Sequence, residues 1–146
     1  MKVLVLHGPN LNLLGEREPE VYGTMTLAEL DALCVERGRA LGLEVRCAQS
    51  NHEGALIDAL HDARTWAGGV VLNPGAYTHY SYALRDAIAS IKVPVVEVHL
   101  SDIEAREPWR RTSVVAEVCA ARRFGKGKDS YFEALEWLAI SRPKAL

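Results

Sequence analysis

KVLVLHGPNLNLLGEREPEVYGTMTLAELDALCVERGRALGLEVRCA, residues 2–48, sets a strand, a helix and a second strand in that order. Residues 2–6 and 44–48 are short apolar runs of strand length, while 26–41 carry apolar residues at helical spacing. Thr26 and Glu29 make a T-x-x-E capping box at the helix start, and Gly42 follows Leu41 as a stop. Strands joined through a helix in this way pair in parallel, because a parallel connection has to cross over. The first joint is unusually long. Residues 6–23, LHGPNLNLLGEREPEVYG, span about 18 positions, against roughly 2–6 for such a connection. They gather Asn10, Asn12, Arg17 and Tyr22 between glycines and prolines. A loop of that length and chemistry marks a binding loop, with a lid at about 16–24.

The alternation continues through helical spacing at 52–66 and 80–90 and apolar runs at 69–72 and 93–98. Ser50 and Glu53 offer the helix at 52–66 a capping box. The last helix is expected over 130–140, with Tyr131, Leu135 and Leu138 on one face. A fifth strand is expected between 116 and 124, where Arg122 and Arg123 break the apolar pattern and suit an exposed edge. This pattern predicts a flavodoxin-like, doubly wound, five-stranded parallel sheet with helices on both faces. Such sheets bind ligands at the carboxyl ends of their strands, near a topological switch point. No repeat, low-complexity stretch or linker divides the chain, so residues 1–146 are expected to form one domain.

Composition narrows the function. The chain is 49% hydrophobic and 25% charged with a net charge of −2, which carries no nucleic-acid or membrane footprint. Cys34, Cys47 and Cys119 lie far apart without a CxxC or a Cys/His cluster, so neither a disulfide framework nor a metal site is expected. There is also no phosphate-binding GxGxxG. Met1 leads straight into the first strand with no leader pattern, and no apolar run reaches membrane-spanning length, so a soluble cytoplasmic protein is expected.

The polar motifs all fall after strands. HGPNLN follows the first, NPGAYTHYS (73–81) the third, and EVHLS (97–101) runs out of the fourth, while a further loop brings Arg106 and Arg110. They therefore share one rim of the sheet, where a pocket is expected. Taken singly, several are ordinary. Asn73-Pro74-Gly75 is turn chemistry, His7 a hydrogen-bonded core histidine, and Arg110-Arg111 a solvated pair. His52 and His61 read as surface residues, and Tyr80 and Tyr82 as packing or interface residues. Glu97-x-His99 differs, because residues two apart on a strand share a face and the carboxylate can orient the imidazole. Arg17 held against Tyr22 would stabilise the phenolate and make it a usable general base.

GPNLNLLGEREPEVYG, QSNHEGALIDALH, LNPGAYTHYSYALRDA and VPVVEVHLSDIEAREPWR, in this order and spacing, resemble type II 3-dehydroquinate dehydratases, small flavodoxin-like enzymes of the shikimate pathway. The resemblance implies anti elimination of water from the small molecule 3-dehydroquinate, giving 3-dehydroshikimate through an enolate, with no cofactor and no metal. By that resemblance Tyr22 is the base and Arg17 the lid arginine that activates it; His99 is the general acid and Glu97 its orienting partner. Asn10 helps hold a water against the enolate oxygen. Asn73, His79, Ser101 and Arg110 bind the carboxylate and hydroxyls, with backbone donors at Leu100 and Ser101. Asp86 reaches a neighbouring subunit's site, within a homo-oligomer of trimers gathered into a dodecamer. Lys2, Lys92, Lys126, Lys128 and Lys144 all lie outside the rim motifs, so a Schiff-base route lacks its nucleophile.

The chain departs from the family pattern at three places. Asp102 follows Ser101 where an Asn is usual, Trp109 replaces a Phe, and 121–131 keeps Gly125, Gly127 and Tyr131 but places charge at Arg122, Arg123, Lys126 and Lys128. These cations are expected to face solvent or to pair with acidic groups across a subunit boundary, since an unpaired buried charge costs several kcal/mol. Asp102 is expected to turn away from the substrate carboxylate. Two other functions compete. A receiver-like signalling domain wants an acidic cluster where the first strand here ends in His7-Gly8-Pro9-Asn10, and a catalytically weakened paralogue acting as a binding or scaffold protein would keep most of these residues.

Overall fold

The computed structural model of the chain describes residues 1–141; residues 142–146, Lys144 among them, lie outside the described residues. The strands are β1 (Lys2–His7), β2 (Glu44–Gln49), β3 (Gly69–Asn73), β4 (Val95–His99) and β5 (Ala121–Phe124), all within a residue or two of expectation except for the shorter β5. They form one sheet of order β2-β1-β3-β4-β5 in which every pairing is parallel, the flavodoxin-like arrangement expected. β5 takes an edge, where its two arginines had pointed.

Helices cover both faces because both are apolar. Along β1, Val3 and Val5 join Leu30 and Cys34 of α2 (Leu27–Ala40) and Tyr131, Leu135 and Leu138 of α5 (Lys128–Ile140). Leu4 and Leu6 alternate to the other side, where they meet Leu56 and Leu60 of α3 (Glu53–Ala63) and Leu84 and Ile88 of α4 (Tyr82–Ser90). Burying each such leucine stabilises the fold by roughly 1.5–3 kcal/mol. The unbroken apolar runs of the inner strands are the sequence trace of this two-sided burial. Within the long first loop, Leu11–Leu13 form a 3-10 turn and Pro19–Tyr22 a one-turn helix, α1. No helix among the described residues is long and apolar enough to cross a membrane.

Helix ends follow local chemistry. The Thr26 hydroxyl accepts from the Glu29 amide at 3.2 Å, the N-cap bond of the expected capping box, and donates to the Glu29 carboxylate at 3.1 Å, so the carboxylate meets the hydroxyl rather than the Thr26 amide. Gly42, at φ 76°, closes α2 in a Schellman turn, with Leu43 N–H on the Gly38 carbonyl at 2.7 Å and Gly42 N–H on that of Arg39 at 3.1 Å. The second expected box does not form. Ser50 Oγ accepts from the His52 amide instead, and the Glu53 carboxylate accepts from the Ser81 hydroxyl at 2.6 Å. Ser81 is the buried N-cap of α4, so its hydroxyl needs an acceptor that only the neighbouring helix supplies.

At the switch between β1 and β3 the two following loops interlock. Gly8 N–H donates to the Asn73 carbonyl at 2.7 Å, and a Cβ at Gly8 would lie 2.7 Å from the Pro74 carbonyl carbon and oxygen. Gly8→Ala therefore forces backbone against backbone. It should cost about 1–3 kcal/mol, seen as a lower urea midpoint at unchanged m-value; a stability within 0.5 kcal/mol of the parent, a figure at the scale of about ±0.5 kcal/mol for neutral surface changes, would show that the loops can part freely.

Candidate active site

The loops after β1, β3 and β4 enclose a cleft that is partly open to solvent, with about 570 Å³ of empty space when that solvent is included. Asn10, Arg17, Tyr22, Asn73, His79, His99, Leu100, Ser101 and Arg110 all line it, as does Arg106. Glu97 stands behind His99. Asp86 lies exposed on α4, outside this cleft, and Asn12 is exposed without lining it.

Tyr22 is held by two arginines. Its Oη accepts from Arg17 Nη2 at 3.1 Å and from Arg106 Nη1 at 2.7 Å, while the guanidinium carbons sit 4.2 and 5.3 Å from the ring centroid. Glu18 Oε2 lies 3.7 Å from both guanidinium groups and helps gather them. Two cationic donors thus converge on one phenol oxygen. The sequence places Arg106 on the rim without a partner. Its reach back across 84 positions to Tyr22 is a tertiary fact with no local signal.

Glu97 is fully buried and His99 nearly so. His99 Nε2–H donates to Glu97 Oε2 at 2.6 Å, leaving Nδ1 as the other ring nitrogen of a residue that lines the cleft. The same carboxylate accepts from Thr78 Oγ1 at 2.5 Å and from Ser113 Oγ at 2.9 and 3.1 Å, and Arg122 Nε approaches Oε1 at 3.3 Å. Burial alone would push the Glu97 carboxyl up, but the hydrogen bond and charge of His99, the Thr78 hydroxyl and the Arg122 charge outweigh it and hold it below the ordinary range. The buried carboxylate is thus ionised and fully engaged. Arg122 corrects an expectation: it is largely withdrawn from solvent, because its ladder position beside Glu97 supplies an anion within the chain. Lys126 faces solvent as expected, while also pairing with Glu133 at 3.0 Å.

The binding side is equally organised. Asn73 donates from Nδ2 to Tyr131 Oη at 3.0 Å and accepts the Gly75 amide at 3.1 Å, so its turn chemistry and its place in the cleft are one arrangement. Tyr131 Oη in turn meets His7 Nδ1 at 2.9 Å, and His7 Nε2 meets Asp31 at 2.6 Å. His7 is the buried, hydrogen-bonded core histidine expected from the sequence, outside the cleft. Asn10, at φ 70°, is fixed through its amide to Asn51 Oδ1 at 3.0 Å, which Gln49 Nε2 also contacts. His79 Nδ1–H donates to the Thr112 carbonyl at 2.7 Å. Burial pushes the His79 imidazole down, with the charges of His99 and Arg110 adding to it, so at neutral pH its Nε2 is an acceptor for a hydroxyl. Trp109 packs its edge against His79 with centroids 5.1 Å apart, and Arg110 is paired with Glu107.

Asp102 turns to its own 3-10 helix, accepting the Glu104 amide at 3.0 Å, and does not line the cleft. The departure that favoured a weakened paralogue is therefore directed elsewhere. No lysine lines the cleft among the described residues. Burial pushes the Cys34 and Cys119 thiols up to about 12, which leaves them protonated.

A family described as dehydroquinase class II matches residues 1–139. The chain is 55% identical over 143 residues to a 3-dehydroquinate dehydratase of Roseiflexus castenholzii, covering 97% of this chain and 90% of that one. It is 58% identical over 137 residues to one of Ruegeria pomeroyi, covering 94% and 92%. The solved type II dehydroquinase of Propionibacterium acnes superposes with a TM-score of 0.93 at 43% identity, over 96% of this chain and 97% of that one. A family match over residues 1–139, identity above half along nearly the whole chain and a shared fold leave one conclusion: the chain belongs to the type II dehydroquinase family.

Proposed function

We propose that the protein catalyses the anti elimination of water from 3-dehydroquinate to give 3-dehydroshikimate, the dehydration of the shikimate pathway, as its relatives' names indicate. The observation that carries the site assignment is one cleft with two proton-transfer groups on different elements. Tyr22 Oη is held by two guanidinium groups, and His99 is backed by a buried carboxylate.

The substrate ketone acidifies the neighbouring carbon. Tyr22 as phenolate removes that proton, and the electron pair moves into the ketone oxygen as an enolate, which a water held by Asn10 stabilises. The enolate then collapses and the β-hydroxyl leaves, taking a proton from the His99 imidazolium so that it departs as water. Tyr22 ends protonated and His99 neutral; one proton passed from the first to the second resets the site. Glu97 holds the imidazole and compensates its charge while protonated. Asn73, His79, Ser101 and Arg110 bind the carboxylate and hydroxyls, with backbone donors at Leu100 and Ser101. The segment 16–24 acts as the lid of a single domain over 1–146. The reaction changes no oxidation state of the protein and calls on no cofactor.

We place the enzyme in the cytoplasm and assemble it as trimers gathered into a dodecamer, with Asp86 of one subunit reaching a neighbour's cleft. The exposure of Asp86 outside its own cleft supports that arrangement. Light scattering should give a mass of twelve chains, with activity falling on dilution if the trimer dissociates; a fully active monomer would sink the shared site.

Product formation, followed by the ultraviolet absorption of the conjugated enone, tests the activity itself. Tyr22→Phe should lower kcat by roughly 10²–10⁴ while keeping substrate binding, and near-normal turnover would reject Tyr22 as base. His99→Ala should cost a similar factor of roughly 10²–10⁴. Glu97→Gln should cost less, since the imidazole remains; equal damage from both would give the carboxylate a direct part in the chemistry.

A further inference from the structure

The β4–β5 ladder sets Glu97 beside Arg122 and His99 beside Phe124. Register partners on parallel strands project to the same face, as do residues two apart, so all four side chains share one face of the sheet. An arginine on an edge strand ordinarily reaches water. Arg122 instead keeps only 22% of its side chain exposed, with Nε 3.3 Å from Glu97 Oε1 and its guanidinium carbon 4.8 Å from the Phe124 ring centroid. Its Nε and Nη2 are buried without a hydrogen-bond partner among the described residues, and its ion pair there is with Glu97. The division of the carboxylate is specific: Arg122 sits on Oε1, while Oε2 receives His99 and Thr78.

We infer that Arg122 is a positioning residue for the dehydration, acting through Glu97 to fix which oxygen His99 receives and to make the His99 imidazolium a readier proton donor. The inference rests on the reading of His99 as general acid. A carboxylate against an imidazolium orients it but also holds its proton back. A cation on the far oxygen draws on that negative charge and opposes the imidazolium, so the proton leaves more easily while the orientation stays. The other groups around the pair do not supply this. Thr78 and Ser113 are neutral hydroxyls, the Cys119 thiol is pushed up to about 12 by burial, and burial keeps His79 neutral at ordinary pH. Arg17 and Arg106 are spent on Tyr22, and Arg110 on Glu107. Among the described residues, His99 and Arg122 are the cations in ion-pair reach of Glu97.

The test is the pH profile of kcat for the intact assembled enzyme and for Arg122→Met, Arg122→Gln and Arg122→Lys, with His99→Ala as reference and folding checked by melting. The alkaline limb reports loss of the protonated acid. Removing the charge in Arg122→Met or Arg122→Gln should move that limb up by about half a unit to one unit. It should lower kcat about tenfold, well short of the roughly 10²–10⁴ for losing His99, with kcat/KM falling in parallel. Arg122→Lys should restore most of both. If either folded neutral variant leaves the limb in place while His99→Ala abolishes it, the inference is overturned and Arg122 merely closes the sheet edge. If His99→Ala keeps the limb, the reading of His99 has failed, which is a separate result. Arg122→Gln adds no bulk and keeps a polar head, so it decides the question should Arg122→Met not fold; a Lys variant as impaired as Gln would also count against a role for charge.

Discussion

The bond from the Gly8 amide to the Asn73 carbonyl, 2.7 Å long, ties together the loops that leave β1 and β3 on opposite sides of the sheet's switch point. No side chain larger than hydrogen fits at Gly8, because the Pro74 carbonyl occupies the space. The two tied loops carry Asn10 and Asn73 into one cleft, and the remaining wall is added by β4 and the segments that follow it. The fold does not merely offer a rim on which residues are scattered. It brings three chain crossings to one point, and the cleft is the gap that remains between them.

The second constraint is the charge buried at Glu97. An ionised carboxylate without water is costly unless its lone pairs are filled, and here two hydroxyls, an imidazole and a guanidinium meet it. Three hydrogen-bond donors come from β4 itself, the turn after β3 and the segment before β5, and the ion-paired cation from β5, so satisfying one carboxylate fixes four pieces of chain around His99. Elsewhere in the cleft two arginines converge on Tyr22. The site thus pairs an anion that steadies an acid with cations that steady a base. That division suits an elimination in which one proton is removed and another supplied.

Much of this was legible before any coordinates. Val3 to Leu6 without a polar interruption announced a strand buried on both faces, and Thr26-x-x-Glu29 and Gly42 marked the ends of α2, because capping depends on residues within a turn of one another. Glu97-x-His99 was legible for the same reason, as strand periodicity fixes which side chains share a face. The reading went astray where distant partners competed. Glu53 was assigned to Ser50, three positions away, but a buried Ser81 hydroxyl on the next helix claims it. Arg122 was expected in solvent or against another subunit because an unpaired buried charge is costly, whereas its partner Glu97 stands on the neighbouring strand.

Local periodicity, turn chemistry and the order of motifs therefore determined the parallel sheet, the rim on which the polar residues stand and the family to which the chain belongs. Each depends on spacing along the chain or on a pattern spread over most of its length, so the sequence alone carries it. Only the tertiary structure decided that Arg106 joins Arg17 on Tyr22, that Tyr131 and His7 brace Asn73, that Asp102 turns away from the cleft and that Arg122 lies beside Glu97. Most of these contacts join residues far apart in the chain, and the most revealing of them is set by the register of β4 against β5. Strand register follows from packing the whole sheet between its helices, which no short stretch of sequence encodes.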